Sequence, residues 1–584
     1  MNWSATPSNK PIEKSSKAFP LDVWRSSIML AVLTLSLASL ALWSIKLQLL
    51  DNEFLQGKGE SRYSRLLEIP APRGKIYDRN GVVLASNVPA RAIWIIPEEV
   101  KMTSAQENQL SKLLEMNVAD IRKKITQDDK RFVYLRRQVP QEVADQIKAM
   151  KIPGVYSQKE VKRDYPQAAV FAHLTGFTNI EGVGQEGLEA VYDKEIQGQP
   201  GSRKVLRDRL GNVIEDEGVM TEAHPGKDVY LSLDARVQYI VYSALRDAVD
   251  YYRAKSASAM VIDTRTGEIL ALVNYPAYDP NVRKNMDRDL IRNRAVTDIF
   301  EPGSTLKPFT VALALDKGRV KPQTMIATGG GKYTIGDATI SDSHANGTLS
   351  VQQVIQKSSN IGTSKIAFTL KPQEMWDLFS SVGFGKAYKI GFPGVSPGLL
   401  RPYKNWQPIE QATMSYGHGI AISLLQLTHA YTIFARDGEL IDLTLIKRDS
   451  TEPVSGQRIL SVDAAKQMRT MMHMATEPGG TAPKAQVIGY TVAGKTGTAY
   501  KVEGNGYNKS KYVASFAGLA PVSDPRIVVS VMVDDPTANA HFGGVVAAPI
   551  FSQIVSETLR TLSVTPDAPY KTSINHEDSV EEAM

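Results

Sequence analysis

Residues 26–45 form an uninterrupted apolar run, twenty positions without a charge. At 1.5 Å per residue a helix of that length spans about 30 Å, the hydrocarbon thickness of a bilayer. Lys10, Lys14, Lys17 and Arg25 precede the run, against Glu13 and Asp22. That excess of positive charge places the N-terminus in the cytoplasm and the rest of the chain outside. Trp43, near the far end, suits an interfacial aromatic. Ser39-Leu40-Ala41 offers a cleavage site as the alternative. The run continues through Leu42, Trp43 and Ile45, however, and is long for a signal peptide, so an uncleaved single-pass anchor is expected.

Beyond the anchor the pattern is mixed and rich in charge as far as residue 225. Residues 73–85 read as strand, turn, strand, with Asn80-Gly81 as the turn. Residues 110–128 and 141–150 read as helices, and 182–201 carries several turn signals. From about residue 227 the periodicity tightens. A short strand at 229–233 leads to Asp234, an N-cap for a helix that sets Val237, Ile240, Val241, Ala244, Leu245, Ala248 and Val249 on one face. Residues 258–263 and 268–274 flank the turn Thr264-Arg265-Thr266-Gly267. Residues 512–516 and 526–533 read as strands, and Pro549 is expected to open a last helix with Ile550, Ile554, Val555 and Leu559 inward. Strands at both ends with helices between them predict an α+β domain built on one antiparallel sheet packed by helices. The expected organisation is a cytoplasmic tail (1–25), the anchor (26–46), an elongated mixed region (47–225), the sheet domain (226–563) and a disordered tail (564–584) with five acids and one lysine from Thr565.

Composition narrows the chemistry. Hydrophobic residues are 42% and charged residues 22% of 584, which excludes wholesale disorder. The net charge of +6 is too dilute over this length to argue for nucleic acid. With no cysteine, thiol catalysis, disulfides and iron–sulfur clusters are excluded. The eight histidines are scattered, so no metal site and no cofactor are expected. Gly182-x-Gly184-x-x-Gly187 matches a dinucleotide fingerprint, but Thr178-Asn179-Ile180-Glu181 before it is no hydrophobic strand, and a turn is expected. Gly331-Lys332 is followed by Tyr333 and is no phosphate loop.

Three short motifs carry the chemistry: Glu301-Pro302-Gly303-Ser304-Thr305-Leu306-Lys307-Pro308, Lys357-Ser358-Ser359-Asn360, and Ala493-Gly494-Lys495-Thr496-Gly497-Thr498. Each is common alone. In this order, with Ser358 54 residues after Ser304 and Lys495 137 further on, the set resembles that of penicillin-recognising serine acyl-transferases. Physical reading agrees. Pro302-Gly303 is a turn, and residues 305–317 read as a helix closed by Gly318, so Ser304 sits at a helix N-terminus that favours developing negative charge. Lys307, three residues on, shares its face and can serve as general base if burial and the charge of Lys495 favour its neutral form. Ser358 continues the inward face of Val351, Val354 and Ile355 and is placed to relay a proton. Asn360 suits a substrate amide. Gly497 is expected to leave room for substrate along a strand edge that an extended peptide can join. The N–H groups of Ser304 and Thr498 would form an oxyanion hole, and Thr496, Thr498 and Lys495 would hold a terminal carboxylate.

The chain as a whole resembles the class B penicillin-binding proteins, most closely the FtsI-type septal D,D-transpeptidases. Arg73-Gly74, Asp78-Arg79-Asn80-Gly81 and 184–189 resemble that family's N-terminal pedestal or dimerisation domain. Asn293-Arg294-Ala295-Val296, the Phe300–Ser304 segment and Ser415-Tyr416-Gly417 before Gln426-Leu427 resemble its catalytic domain. The resemblance implies a serine β-lactamase-like transpeptidase fold. It implies stem peptides ending in D-Ala-D-Ala, on lipid-linked nascent glycan strands, as substrate, and β-lactams as covalent inhibitors. It also implies an inner-membrane protein with a periplasmic catalytic domain at the division septum, and divisome partners including the glycan polymerase FtsW. His418 stands where an aromatic is frequent and Phe300 where Tyr is common. An elongation-type transpeptidase is the alternative with the same chemistry. A β-lactamase would need a Glu-x-x-Leu-Asn segment after the second motif, which this chain lacks, and a penicillin sensor would need several membrane helices.

Overall fold

The structure is a computed structural model that describes residues 23–54, 64–126, 132–207, 213–282, 287–448, 454–504 and 506–569. The apolar run is a helix, Val23–Ile45, extended by a wider turn at Lys46–Leu50. None of the Val23–Ile45 residues is buried against protein. An apolar helix with no polar stripe is a candidate membrane span. It is the one helix among the described residues long and apolar enough to cross a membrane. Arg25 lies over the Trp24 ring and Lys46 over the Trp43 ring, one cation–aromatic pair at each end, which suits the two interfaces. Lys10, Lys14 and Lys17 lie outside the described residues.

One compact unit contains a three-stranded antiparallel sheet, Ser64–Ile69, Gly201–Arg207 and Val213–Thr221. The other comprises residues 71–199 and 225 onward. Its N-terminal part is organised by the long strand Val83–Ile95, paired with Val133–Val139 and with Val155–Asp164. The Asn80-Gly81 turn forms as the sequence predicts, with Gly81 at φ 85°. The helix expected over 110–128 is instead two, Ser104–Leu114 and Val118–Ile125. Glu115 between them adopts φ 46° and the Met116 N–H returns to the Ser111 carbonyl at 3.0 Å, which closes the first helix, while the Arg136 guanidinium takes the Leu114 carbonyl left free there. Residues 127–131 lie outside the description. The 182–187 segment is a turn, as expected. Gly184 donates its N–H to Asp193 (2.8 Å), and Arg73 binds the Gly182 carbonyl, Asp193 and the fully buried Glu189, which Arg163 also holds.

The predicted α+β domain is present. Its sheet has five antiparallel strands: β1 Ser256–Asp263, β2 Ile269–Tyr275, β3 Ala493–Glu503, β4 Gly506–Ala520 and β5 Ile527–Asp534, in the spatial order β2-β1-β5-β4-β3. Alternation along β1 sorts two cores. Ala257, Ala259 and Val261 face one side with α1 (Ala235–Tyr252), while Met260 and Ile262 face the other. On that second side lie α2 (Lys307–Asp316), α3 (Asn360–Ala367), α4 (Leu424–Ala435) and α5 (Val462–Thr476); α6 (Gly543–Thr561) joins α1 on the first. Helix α4 is buried along its whole length. Asp234 caps α1 as expected, accepting from the Arg236 N–H.

Pro549 does not open the last helix. α6 begins at Gly543 and Pro549 lies inside it. The missing proline N–H leaves the Val545 carbonyl without its helical donor, and the Tyr252 hydroxyl of α1 supplies one at 2.9 Å. Beyond α6 the chain stays attached past Thr565: Asp567 accepts from the Thr491 and Ser523 side chains and from the Thr491 N–H (2.7 Å). Residues 570–584, where the rest of the expected tail falls, lie outside the described residues.

Candidate active site

Ser304 lies in a single 3₁₀ turn, Gly303–Leu306, that leads into α2 at Lys307, two residues after the helix start expected at 305. Pro308 falls in the first turn of α2, where a missing N–H costs nothing. Gly303 adopts φ 54° and donates its N–H to the Gly417 carbonyl at 3.2 Å; a Cβ on Gly417 would stand 2.1 Å from the Gly303 oxygen. These two glycines let the 417–419 loop lie directly on the Ser304 turn. The Thr305 hydroxyl donates to the Pro302 carbonyl (2.7 Å), and Tyr431 on the buried α4 donates to the Thr305 carbonyl (2.7 Å). The turn is thereby bonded to the hydrophobic core.

Lys307 is completely buried, and its ammonium donates to the Ser358 hydroxyl at 3.0 Å and to the Ser358 carbonyl. Ser358 reaches this position in the left-handed region, φ 57°, between the helix Val351–Gln356 and α3. That conformation is costly for a residue with a side chain, and the surrounding bonds hold it. Ser359 caps α3 by accepting from the Gly362 N–H (2.8 Å), and the Asn360 amide donates to the Ser341 carbonyl (3.1 Å).

The third motif opens β3, the edge strand of the sheet. Lys495, also fully buried, donates to the Thr496 hydroxyl at 3.0 Å, and that hydroxyl reaches Thr481 at 3.2 Å. The Thr498 hydroxyl accepts the Gly543 N–H (3.0 Å) and so caps α6 from across the sheet. Packing inside the domain also requires a glycine at 497. A Cβ on Gly497 would meet Ser515 Oγ at 2.5 Å, the Pro302 carbonyl oxygen at 2.7 Å and Thr305 Cγ2 at 2.9 Å. The missing side chain makes room for the Ser304 turn. The structure therefore brings Lys307 onto Ser358, and the Ser304 turn onto Gly497 and Thr498. Asn360 and Thr496 line the same region with their polar groups bonded to Ser341 and Thr481.

A further cluster escaped sequence reasoning. The Glu301 carboxylate accepts from the Gly419 N–H (2.7 Å), from His418 Nδ1 (3.1 Å) and from the Tyr507 hydroxyl (3.0 Å). Burial pushes this carboxyl up, but the His418 bond and charge, the Gly419 N–H and Tyr507 outweigh it and hold Glu301 below its ordinary value. Burial and the Glu301 charge push Tyr507 up to about 12. The cluster borders a cavity of about 620 Å³ lined by Phe300, Leu399, Ile420, Val513 and Met532 among others; it lies beside the Ser304 turn, and Ser304 and Lys307 do not line it. The only sequence signal was the unusual His418, because the partners all lie more than a hundred residues from Glu301 in the chain.

A helix-packed antiparallel sheet whose edge strand lies against a serine-bearing turn, with a buried lysine on the next helical turn, is the arrangement of a penicillin-binding transpeptidase domain. Residues 257–556 match the penicillin binding protein transpeptidase domain, and residues 68–231 match the penicillin-binding protein dimerisation domain. The chain belongs to this family and is a class B penicillin-binding protein of the FtsI/PenA type. It is 42% identical to the probable peptidoglycan D,D-transpeptidase PenA of Neisseria meningitidis, covering 93% of this chain and 94% of that one. It is 38% identical to the peptidoglycan D,D-transpeptidase FtsI of Escherichia coli, covering 93% of each. The transpeptidase domain of penicillin-binding protein 3 from Burkholderia pseudomallei superposes with a TM-score of 0.54 at 52% identity, covering 58% of this chain and 98% of that domain.

Proposed function

We propose that this protein cross-links peptidoglycan stem peptides at the division septum by serine acyl transfer. Ser304 is the nucleophile. Its Oγ attacks the carbonyl carbon of the penultimate D-Ala while Lys307 takes the hydroxyl proton, and the N–H groups of Ser304 and Thr498 bind the oxyanion. Collapse expels terminal D-Ala as its amine, the proton returning through Lys307 and Ser358. An acceptor amine then attacks the Ser304 ester, forms the cross-link and releases the serine. Lys495 supplies positive charge, and Asn360, Thr496, Gly497 and Thr498 form the walls that hold the peptide and its carboxylate. A β-lactam acylates Ser304 in the same way, but its expelled amine stays tethered. The observation that carries this reading is the buried Lys307 ammonium on Ser358, one turn from Ser304.

In this reading residues 26–46 anchor the chain in the inner membrane with the first 25 residues cytoplasmic. Residues 47–225 form the pedestal, 226–563 the periplasmic transpeptidase, and FtsW with other divisome proteins are the partners. The test is mass spectrometry after exposure to a penicillin. One adduct on the peptide containing Ser304, lost in Ser304→Ala without a change in melting, is the expected result; an adduct that survives the substitution overturns the assignment. Depletion in cells separates the septal from the elongation role: filaments with blocked septa support the former, rounded cells the latter.

A further inference from the structure

We propose that Glu301 is a positioning residue for the reaction at Ser304, acting by tying three segments into one rigid wall of the site. The inference rests on the reading of Ser304 as nucleophile. Segments 300–303 and 417–422 run antiparallel beside one another. Phe300 and Ile422 exchange backbone hydrogen bonds at 3.0 and 2.9 Å, and Gly303 donates to the Gly417 carbonyl at 3.2 Å. Between these rungs the Glu301 carboxylate takes the Gly419 N–H at 2.7 Å, so a side chain fills the gap in a short backbone ladder. The same carboxylate then reaches outward. Its His418 contact, at 3.1 Å, places the proton on Nδ1, because an ionised carboxylate can only accept. The Tyr507 hydroxyl approaches both carboxylate oxygens, at 3.0 and 3.1 Å.

Tyr507 belongs to β4, where its backbone pairs with Val502 of β3. Strand β3 carries Lys495, Thr496, Gly497 and Thr498 a few residues earlier. One carboxylate, 9% exposed, thus links the segment ending in Ser304, the loop that seats its turn, and the far end of the hairpin whose strand faces that turn. Its loss leaves the two cores of the domain intact. What it changes is how firmly the Ser304 turn and β3 are held at their spacing. A charged hydrogen-bonding centre of this kind contributes more than a neutral pair, and reaction rates respond steeply to sub-ångström errors in placement.

The experiment measures saturable acylation by a fluorescent penicillin on the full chain in detergent, with melting followed in parallel. Wild type must first label at Ser304; labelling elsewhere removes the nucleophile assignment and this inference with it. Given that labelling, Glu301→Gln should lower the limiting acylation rate by about tenfold or more while the half-saturating concentration stays within about twofold. Val555→Ala, a core truncation far from the site, serves as the stability control: at an equal loss of melting temperature it should keep its rate. Tyr507→Phe should slow acylation by about threefold and speed amide exchange in the β3–β4 hairpin. In a Glu301→Ala background it should add nothing, because Tyr507 has no acceptor left there. Glu301→Gln acylating within twofold of wild type overturns the proposal. So does a slowing matched by Val555→Ala, or rate losses that multiply in the double variant. If Glu301→Gln does not fold, Tyr507→Phe decides alone, and an unchanged rate and exchange pattern there is equally fatal.

Discussion

Replacing Gly497 by alanine adds one methyl group between β3 and the turn that carries Ser304. That methyl would meet the Pro302 carbonyl oxygen at 2.7 Å, Ser515 Oγ at 2.5 Å and Thr305 Cγ2 at 2.9 Å, where ordinary contact begins near 3.4 Å. The serine hydroxyl can rotate away. The Pro302 carbonyl cannot, since it is backbone and accepts the Thr305 hydroxyl at 2.7 Å. Restoring contact distance moves it by roughly 0.7 Å, and Ser304, two residues on, moves with it. Overpacking of this size costs about 1–3 kcal/mol, a fall in melting temperature of several degrees for a domain of this size. A misplacement of about 1 Å costs roughly a hundredfold in rate, so acylation should fall between about ten- and a hundredfold. Stopped-flow acylation with a fluorescent penicillin, paired with thermal melting, reads both quantities. Adding Ser515→Ala separates the contacts: it should return only a small part of the stability and leave acylation slow, because Pro302 is still displaced. Gly497→Ala acylating within twofold of wild type would refute the argument. Full recovery of the rate by Ser515→Ala would move the cause from the turn to the strand.

Lys307→Arg keeps the charge but has no accessible neutral form, so acylation should fall at least about a hundredfold. Lys495→Arg retains the cation and should be milder; the reverse ranking, read from second-order acylation rates, would transfer the base role away from Lys307. Asp567 carries a pH prediction. Burial pushes its carboxyl up, but Thr491 and Ser523 outweigh that and hold it below the ordinary aspartate value. A depressed folded value contributes stability that is full above the unfolded value of about 3.9 and is lost as pH falls through the folded one. Asp567→Asn should therefore cost about 1 kcal/mol at pH 7, with the difference from wild type closing in acid. Melting curves across pH that stay parallel would show that Asp567 does not hold the C-terminal segment through its charge.

Local pattern alone determined the elements whose reasons are local. The N-terminal apolar helix follows from twenty uncharged positions, and α1 from a cap and a stripe. The Gly81 turn needs only a residue at ease with positive φ. The three motifs announced their chemistry by type and order, and the offset of Lys307 from Ser304 on one helical face was readable from spacing. What the tertiary structure decided are the places where distant segments meet. β1 lies beside β5, some 270 residues later, a pairing chosen by matching buried faces rather than by either strand. The helix expected from residue 110 ends at Leu114, and Arg136 from a separate strand takes the carbonyl freed there. Pro549 sits inside α6 because Tyr252 supplies the donor that proline lacks. Gly497 is required by the Pro302 carbonyl, which the third motif does not contain. Glu301 became part of the site only when Gly419, His418 and Tyr507 arrived around one carboxylate. A residue's neighbours along the chain set its backbone preference, but which groups desolvate and bond to it is settled by packing, and that is where this site was completed.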